Sequence, residues 1–173
     1  MPLSSDNVPM PLFIGTKLIH AIPMTRGEYN EYRGWNQPSD EDPEEPGFLV
    51  EYVDGGDSNH PNHEGYISWS PEHVFKSAYS SNGNWDFGQA LTLLKRGHKL
   101  QRKGWNGKGM WIILVPGSTG IRPVAGTPYS NAGLTENVDI NEHIDMYTAD
   151  GAMQPGWLAS QADMLAEDWQ LAD

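Results

Sequence analysis

The sequence predicts an α+β fold made of two small modules. Three observations predict it: alternating apolar segments and helix-capping patterns follow one another, a polar run at 80–84 separates two such series, and 19 glycines with 13 prolines indicate many turns. We expect a flexible N-terminus over residues 1–11, a small α+β module over 12–79, a linker at 80–84, and a second module over 85–173. The second should contain a helix, a β-hairpin, further short antiparallel strands and a C-terminal helix.

The first module begins with a predicted extended segment over residues 12–23. Thr25, followed three positions later by Glu28, forms a capping box that predicts a short helix ending at Gly34. The segment 39–46 is acidic and contains proline, so it is unsuited to burial. We therefore expect it to be a solvated surface loop.

A strand pair and a helix complete the first module. Apolar side chains alternate along 48–53, and 66–69 is the predicted partner strand. Ser70 followed by Pro71 predicts a helix with serine as its N-cap and proline at its first position. The predicted apolar face of this helix consists of Val74, Phe75 and Ala78.

The second module should open with a helix and a hairpin. Asp86 with Gln89 forms another capping box, and Gly97 is a natural stop. Strands are predicted at 100–105 and 110–115, because the glycines between them allow the positive φ of a hairpin loop. The predicted buried stripe of the helix consists of Phe87, Ala90, Leu91 and Leu94.

The rest of the second module is predicted to be irregular over 116–142 and then to form two short strands around residues 150–151. Ser160 with Asp163 predicts the start of a last helix, and 169–171 an edge strand. The two strands should carry Ile144, Met146 and Trp157.

Charge and composition exclude several classes of protein. A net charge of -12 repels a nucleic-acid polymer, and the lack of cysteine excludes disulfides and thiolate metal sites. No apolar run approaches the roughly 20 residues of a membrane span, and the N-terminus lacks a signal-peptide pattern, so we expect a cytosolic protein. One basic cluster indicates either an anion site or a solvated helix end followed by an edge strand. It consists of Lys95, Arg96, Lys99, Arg102, Lys103 and Lys108.

The sequence contains no recognisable catalytic or cofactor motif. Neither phosphate-binding glycine pattern occurs, and no nucleophile elbow accompanies the histidines. His60 and His63 lie in a Pro- and Asn-rich turn rather than on one helix face, so we expect no metal site. We predict a binding protein that is not an enzyme.

Tryptophan is the best candidate for ligand recognition, because indole faces stack on nucleobases. Trp111 lies in an apolar strand, and we expect it in the core. Trp105 opens a glycine-flanked turn beside Lys103, Asn106 and Lys108, where it could stack on a base or pack in the core. Five of the seven tryptophans belong to the second module: Trp85, Trp105, Trp111, Trp157 and Trp169.

Five motifs of the second module occur in an order that resembles a known family. They are WDFGQAL at 85–91, RKGWNGKGM at 102–110, VPGS at 115–118, HIDM with TADG within 143–151, and WLASQADMLAEDW at 157–169. Together they resemble the phage Thoeris anti-defence proteins of the second type, over about residues 84–172.

The resemblance implies a sponge that holds cyclic nucleotide immune signals without cleaving them. Members sequester glycocyclic ADP-ribose isomers made by TIR-domain proteins, and some also hold cyclic dinucleotides at a separate site. They are homotetramers with pockets at subunit interfaces, acting in the cytoplasm of the infected host. The resemblance assigns base stacking to Trp105 and Trp157 and hydrogen bonding to Asn106 and Asp163. From their positions in the motifs, the resemblance also places Phe87 and Lys103 next to the ligand pocket.

Two parts of the chain depart from the family pattern. Residues 154–156 carry an extra residue before Trp157, and 117–141 has its own sequence. The first module resembles a recurrent phage segment without a known activity, and we expect it to be an accessory unit. The alternative functions are a nucleotide-degrading enzyme and a virion or host-interaction module.

Overall fold

The computed structural model describes residues 12, 15–105 and 109–173, which confirm an α+β fold. The chain divides into two compact units, Met1–Tyr79 and Ser80–Asp173. The predicted flexible segment 1–11 and the predicted site residue Asn106 lie outside the described residues. None of the helices in the described part of the chain has the length and apolar character needed to cross a membrane.

The first unit is a three-stranded antiparallel sheet with two helices. Its sheet order is β1-β2-β3, and its core is formed by Tyr29, Leu49 and Ile67. The elements are β1 (Ile19–Pro23), α1 (Arg26–Tyr32), β2 (Gly47–Tyr52), β3 (Tyr66–Pro71) and α2 (Glu72–Ala78).

The start and end of α1 follow the prediction. The Thr25 hydroxyl accepts a hydrogen bond from the Glu28 backbone N–H, and the Glu28 carboxylate accepts one from the Thr25 backbone N–H. Gly34, just after the helix, has φ 68°, a conformation that glycine adopts without a Cβ penalty. Of the described residues in the segment predicted to be extended over 12–23, those of β1 form a strand.

The prediction for the start of α2 was wrong. Ser70 is a residue of β3 and pairs with Phe48 of β2, so the strand ladder holds its backbone, and Pro71 becomes the N-cap. The predicted apolar face is also wrong, because α2 has no buried residue. Of that face, Phe75 stacks on Phe48 at 4.0 Å, while Val74 and Ala78 are exposed.

The acidic segment 39–46 is more than a solvated loop. Its Glu41 accepts hydrogen bonds from Nε of Arg26 at 2.7 Å and from Nδ2 of the buried Asn30 at 3.0 Å. The Arg26 guanidinium and the Asn30 amide lower the pKa of the Glu41 carboxyl. The loop is therefore attached to α1 by a charged contact.

The second unit contains a five-stranded antiparallel sheet of order β10-β4-β5-β8-β9 and a two-stranded sheet of β6 and β7. Helix α3 packs on β4, β5 and β10. The elements are α3 (Phe87–Lys95), β4 (Leu100–Arg102), β5 (Trp111–Val115), β6 (Ser118–Ile121), α4 (Pro128–Asn131), β7 (Val138–Ile140), β8 (His143–Tyr147), β9 (Met153–Gln154), α5 (Gln161–Met164) and β10 (Trp169–Leu171).

Capping predictions for this unit are confirmed. Asp86 and Gln89 form a reciprocal capping box, as do Ser160 and Asp163, and Gly97 follows α3 with φ 88°. The buried stripe of α3 differs from the prediction, since Phe87 and Leu91 are only half-buried. Its fully buried residues are Ala90, Leu93 and Leu94, because the side of α3 that faces the sheet is centred on them.

The segment 116–142 is more regular than predicted, because it contains β6, β7 and α4. Trp157 lies after β9 and belongs to no strand. Residues of the predicted linker 80–84 bond to β10: the Gly83 N–H donates to the Trp169 carbonyl at 3.1 Å, and Asn82 accepts from the Leu171 N–H at 2.9 Å.

The core tryptophan is Trp169 and not Trp111. Trp169 opens the edge strand β10 and is 0% exposed. Trp111 is half-buried, stacks on Tyr147 at 5.0 Å, and has the Lys99 ammonium 5.4 Å from its ring. Trp169 is covered by residues from other parts of the chain. The apolar sequence of β5, from which Trp111 was expected in the core, gives no information about these contacts.

Candidate ligand-binding site

Three indoles meet at one end of the second unit. Trp169 lies at the centre, with the ring centroid of Trp105 at 5.4 Å and that of Trp157 at 6.3 Å. The two outer rings are 6.1 Å apart, and all three pairs are edge-to-face, with interplanar angles between 73° and 78°. This geometry is favoured by the aromatic quadrupole. Trp105 and Trp157 are half-buried, so they are the members that a ligand can reach.

Each outer indole is positioned by a turn that follows a strand. Trp105 follows β4 and donates its backbone N–H to the Arg102 carbonyl at 3.4 Å. Trp157 follows β9 after Gly156, whose φ is 75°, and donates its backbone N–H to the Ile144 carbonyl of β8 at 2.7 Å. The sheet therefore fixes the backbone of both residues.

The carboxylate of Asp163 is the polar centre of the cluster. Its Oδ1 accepts from Nη1 of Arg102 at 2.8 Å and from Nε1 of Trp105 at 3.0 Å. Its Oδ2 accepts from the backbone N–H and the hydroxyl of Ser160, at 3.0 Å and 2.7 Å. The backbone carbonyl of Asp163 accepts from Nε1 of Trp169 at 3.1 Å. One residue therefore holds two of the three indoles.

Arg102 joins this centre to a second carboxylate. Its Nε donates to Oδ1 of Asp168 at 2.8 Å, while Nη1 serves Asp163. The other oxygen of Asp168 accepts from the Gly104 backbone N–H at 2.7 Å. A Cβ on Gly104 would lie 2.8 Å from that oxygen, so the close approach requires glycine. The turn leading to Trp105 is thus held from both sides.

The electrostatics of the centre keep both carboxylates ionised. Burial of Asp163 raises the pKa of its carboxyl, but hydrogen bonds from Ser160 and Trp105 lower it more. With the bond from Arg102, they hold the pKa at about 2. The Arg102 hydrogen bond also lowers the pKa of Asp168, and the two carboxylates raise that of the guanidinium.

The members of the basic cluster that the structure describes have different surroundings. Arg102 is neutralised within the indole centre, and Lys99 donates to the backbone carbonyl of Asp173 at the chain end. Lys95 is exposed in the last turn of α3, where its charge complements the helix dipole. Lys108 lies outside the described residues.

Lys103 lies beside the backbone rather than beside the indoles. A Cβ built on Gly83 would be 2.6 Å from Nζ of Lys103, so the ammonium covers this glycine, whose φ is 91°. Within the described part of the chain, no cation–π contact or hydrogen bond joins Lys103 to Trp105 or Trp157.

Of the residues predicted for the site, the structure brings four together. Trp105, Trp157 and Asp163 surround Trp169, and Phe87 packs on Trp169 at 5.6 Å. Sequence reasoning missed the residues that build the centre, namely Trp169, Arg102, Asp168 and Ser160. These four residues lie in the same sequence motifs as the predicted site residues, and that position could have identified them.

The first unit contains a separate polar cluster. His63 is hydrogen-bonded through Nδ1 to Glu51 and through Nε2 to the Tyr32 hydroxyl, both at 2.9 Å. His60 stacks on the Tyr32 ring at 4.5 Å. The hydrogen bond from the Gly65 backbone N–H lowers the pKa of the Glu51 carboxyl most, and the hydrogen bond with His63 lowers it further. Among the described residues, no group of three or more histidine and acidic side chains is arranged to hold a metal ion.

The second unit is thus an α+β module in which three indoles contact one another and the buried carboxylate of Asp163 accepts a hydrogen bond from one of them. Comparison with known proteins places that module in a family. The chain belongs to the Tad2-like family, described as the Thoeris anti-defense 2-like domain, whose sequence model matches residues 85–172. The chain is 38% identical over 88 residues to Thoeris anti-defense 2 of Bacillus phage SP01. The aligned segment covers 49% of this chain and 91% of that protein.

Proposed function

We propose that the protein counters Thoeris immunity by binding cyclic nucleotide signals, namely glycocyclic ADP-ribose isomers, and sequestering them without cleavage. Cyclic dinucleotides are a second ligand class to test. Family membership supports the anti-Thoeris role. The observation that carries the ligand class is the pair of half-buried indoles, Trp105 and Trp157, fixed on the buried Trp169.

Fixed indoles suit a planar, base-containing ligand. Stacking on an indole contributes about 1–3 kcal/mol per base, and a rigid ring loses little entropy on binding. The Nε1–H of Trp105 is bonded to Asp163, so this residue offers its ring face. Within the described residues, Nε1 of Trp157 has no hydrogen-bond acceptor, which leaves a donor for ligand oxygens.

Sequestration without cleavage agrees with the polar groups of the cluster. The side chains of Asp163, Arg102, Asp168 and Ser160 bond to one another or to backbone. A general base must reach the ligand with a free lone pair. Hydrogen bonds occupy the oxygens of both carboxylates, and the lowered pKa of each carboxyl makes its carboxylate a weaker base. The cluster therefore supports binding better than catalysis.

We also propose that four copies assemble and that the ligand lies at subunit interfaces in the cytoplasm of the infected host. Leu158 and Leu165, on either side of α5, are 89% and 81% exposed. Exposed leucines beside a candidate site suit burial against another copy. In this arrangement residues 85–173 form the sequestering domain, and the first unit is accessory.

The test is calorimetric titration of the full chain with glycocyclic ADP-ribose isomers and cyclic dinucleotides, followed by recovery of the ligand. We expect saturable binding and intact ligand by mass spectrometry after heat denaturation. Trp157→Ala should weaken binding strongly, whereas the control Trp111→Ala removes an indole that lies outside the cluster. Absence of binding to every signal, or release of cleaved product, overturns the proposal.

The accessory role of the first unit needs its own experiment. A fragment that begins at Ser80 should keep the affinity of the full chain. It should not begin later, because residues of 80–84 bond to β10. A folded fragment that has lost affinity would assign part of the binding site to the first unit.

A further inference from the structure

We propose that Asp163 is a positioning residue that acts on the ligand only through the indole of Trp105 and does not itself contact the ligand. This inference rests on the proposed function and deepens it. It also changes the role expected from motif position, which was hydrogen bonding to a base or ribose.

The carboxylate of Asp163 has no lone pair left to accept a further hydrogen bond. Two carboxylate oxygens offer about four lone-pair sites. In Asp163 four donors occupy them: Arg102 and Trp105 on one oxygen, and the N–H and hydroxyl of Ser160 on the other. A ligand donor must displace one of these groups and leave a partly buried donor without an acceptor, which is unfavourable.

Asp163 is also buried. It is only 8% exposed, since it lies in the first turn of α5 with its carboxylate against Arg102 at the end of β4. Trp105 and Trp157, by contrast, are half-buried. A ligand therefore reaches the indoles more easily than the carboxylate.

The contacts of Asp163 with two indoles lie at the ring edges. Asp163 binds the Nε1 edge of Trp105 through its side chain and the Nε1 edge of Trp169 through its carbonyl. Bonds to these edges fix the rotation of both rings. Trp169 is fully buried, so the ring open to a ligand is that of Trp105, which offers its face in an orientation that is set before binding. Arg102 and Ser160 hold the carboxylate in turn.

The experiment is a double-mutant cycle in the full chain, with Asp163→Asn, Trp105→Phe and their combination. The probe is the glycocyclic ADP-ribose isomer that wild type binds. Affinity is measured by calorimetry, and the Trp105 Nε1–H resonance by ¹⁵N NMR without ligand. Asp86→Asn is the matched control, since it removes the same charge and leaves a good N-cap.

We expect Asp163→Asn to shift the Trp105 resonance without ligand and to weaken affinity about tenfold, as changes in supporting residues commonly do. In the Trp105→Phe background, it should weaken affinity no further, because the indole N–H through which Asp163 acts is absent. Independent losses in the cycle, or lost affinity with an unshifted resonance, establish direct ligand contact and overturn the inference.

Ser160→Ala covers the case in which Asp163→Asn does not fold. It removes one hydroxyl donor and leaves the carboxylate charge in place. If Asp163 positions Trp105, affinity falls and the resonance shifts. Unchanged or increased affinity means that the freed lone pair serves the ligand, which overturns the inference. Wild-type protein that binds no signal overturns the proposed function instead, while the ligand-free resonance reports on Asp163 independently.

Discussion

Each of the two units contains a carboxylate that accepts several hydrogen bonds and lies close to aromatic side chains. The donors to these two carboxylates differ. Glu51 in the first unit accepts from two backbone N–H groups of a loop and from His63, which links it to Tyr32. Asp163 in the second unit accepts directly from an indole and is paired with the guanidinium of Arg102.

The difference shows what each centre stabilises. Glu51 mainly organises a loop, since two of its three hydrogen bonds come from the backbone of residues 64–65. Asp163 in α5 organises side chains of β4, of the turn after β4 and of β10, namely those of Arg102, Trp105 and Trp169. Loss of the first centre should therefore stay local, whereas loss of the second should loosen a whole unit. Hydrogen exchange read by mass spectrometry reports each unit separately in the full chain.

The largest effect should follow from Trp169→Ala. Removal of a fully buried indole costs about 3–5 kcal/mol, because a cavity remains among the rings that packed on it. We expect protection to fall throughout 80–173 and to persist in 15–79. Trp111→Ala, at a half-buried ring, should cost less. Equal losses from both variants would contradict a core centred on Trp169.

The next effect concerns charge pairing. Arg102→Met removes the countercharge of two carboxylates, and breaking a buried pair in this way costs on the order of 3 kcal/mol. Arg26→Met is the comparison in the first unit, where Arg26 and Glu41, at 22% and 27%, are more exposed than Arg102 and Asp163, at 15% and 11%. It should cost less. Urea unfolding of both variants measures the difference, and a reversed order would refute the contrast between the units.

A third effect depends on pH. The folded pKa of Asp163 is about 2, below its ordinary value, so its stabilisation is complete above about pH 4. The stabilisation is lost as the pH falls through the folded pKa, and amounts to about 2 kcal/mol. Unfolding free energy measured from pH 7 to pH 2 should show this loss in wild type and Asp86→Asn. Asp163→Asn should lack it; an unchanged acid response contradicts the assignment.

The smallest effect is expected from Tyr32→Phe. It removes the hydrogen bond between the phenol and His63, which is worth about 1 kcal/mol. Exchange should accelerate in the loop around residues 58–65 and stay unchanged in 80–173. Tyr66→Phe, at a residue 45% exposed, is the control and should be nearly neutral. Faster exchange throughout the first unit would show that the Glu51 centre is not local.

Local patterns predicted the helix starts because the physics of a cap is local. Thr25, Asp86 and Ser160 each bond to a residue three positions ahead, and all three capping boxes are present. Ser70 was also predicted to be an N-cap, since Pro71 follows it. That prediction was wrong, because Ser70 pairs with Phe48 of β2 as a residue of β3. A local pattern therefore predicts an N-cap correctly only where the residue is not already part of a strand.

Burial was harder to predict than secondary structure. Trp111 has the apolar neighbours of a core residue, yet it is half-buried, while Trp169 in an edge strand is fully buried. Edge strands are usually exposed on one side. Here Phe87, Trp105 and Trp157 cover Trp169 from three distant parts of the chain, which no local pattern records.

The sequence by itself determined the three helix starts that carry capping boxes, some of the strand segments and, through five ordered motifs, the family to which residues 85–172 belong. Only the tertiary structure decided how those motifs work together. Asp163 is 61 residues from Arg102 and 58 from Trp105, and its hydrogen bonds require atoms within about 3 Å. The sequence supplies many carboxylates and several cations. Which of them meet depends on how the sheet brings β4 beside β10, and that pairing places the Asp163 carboxylate within hydrogen-bond distance of Arg102 and of the Trp105 indole.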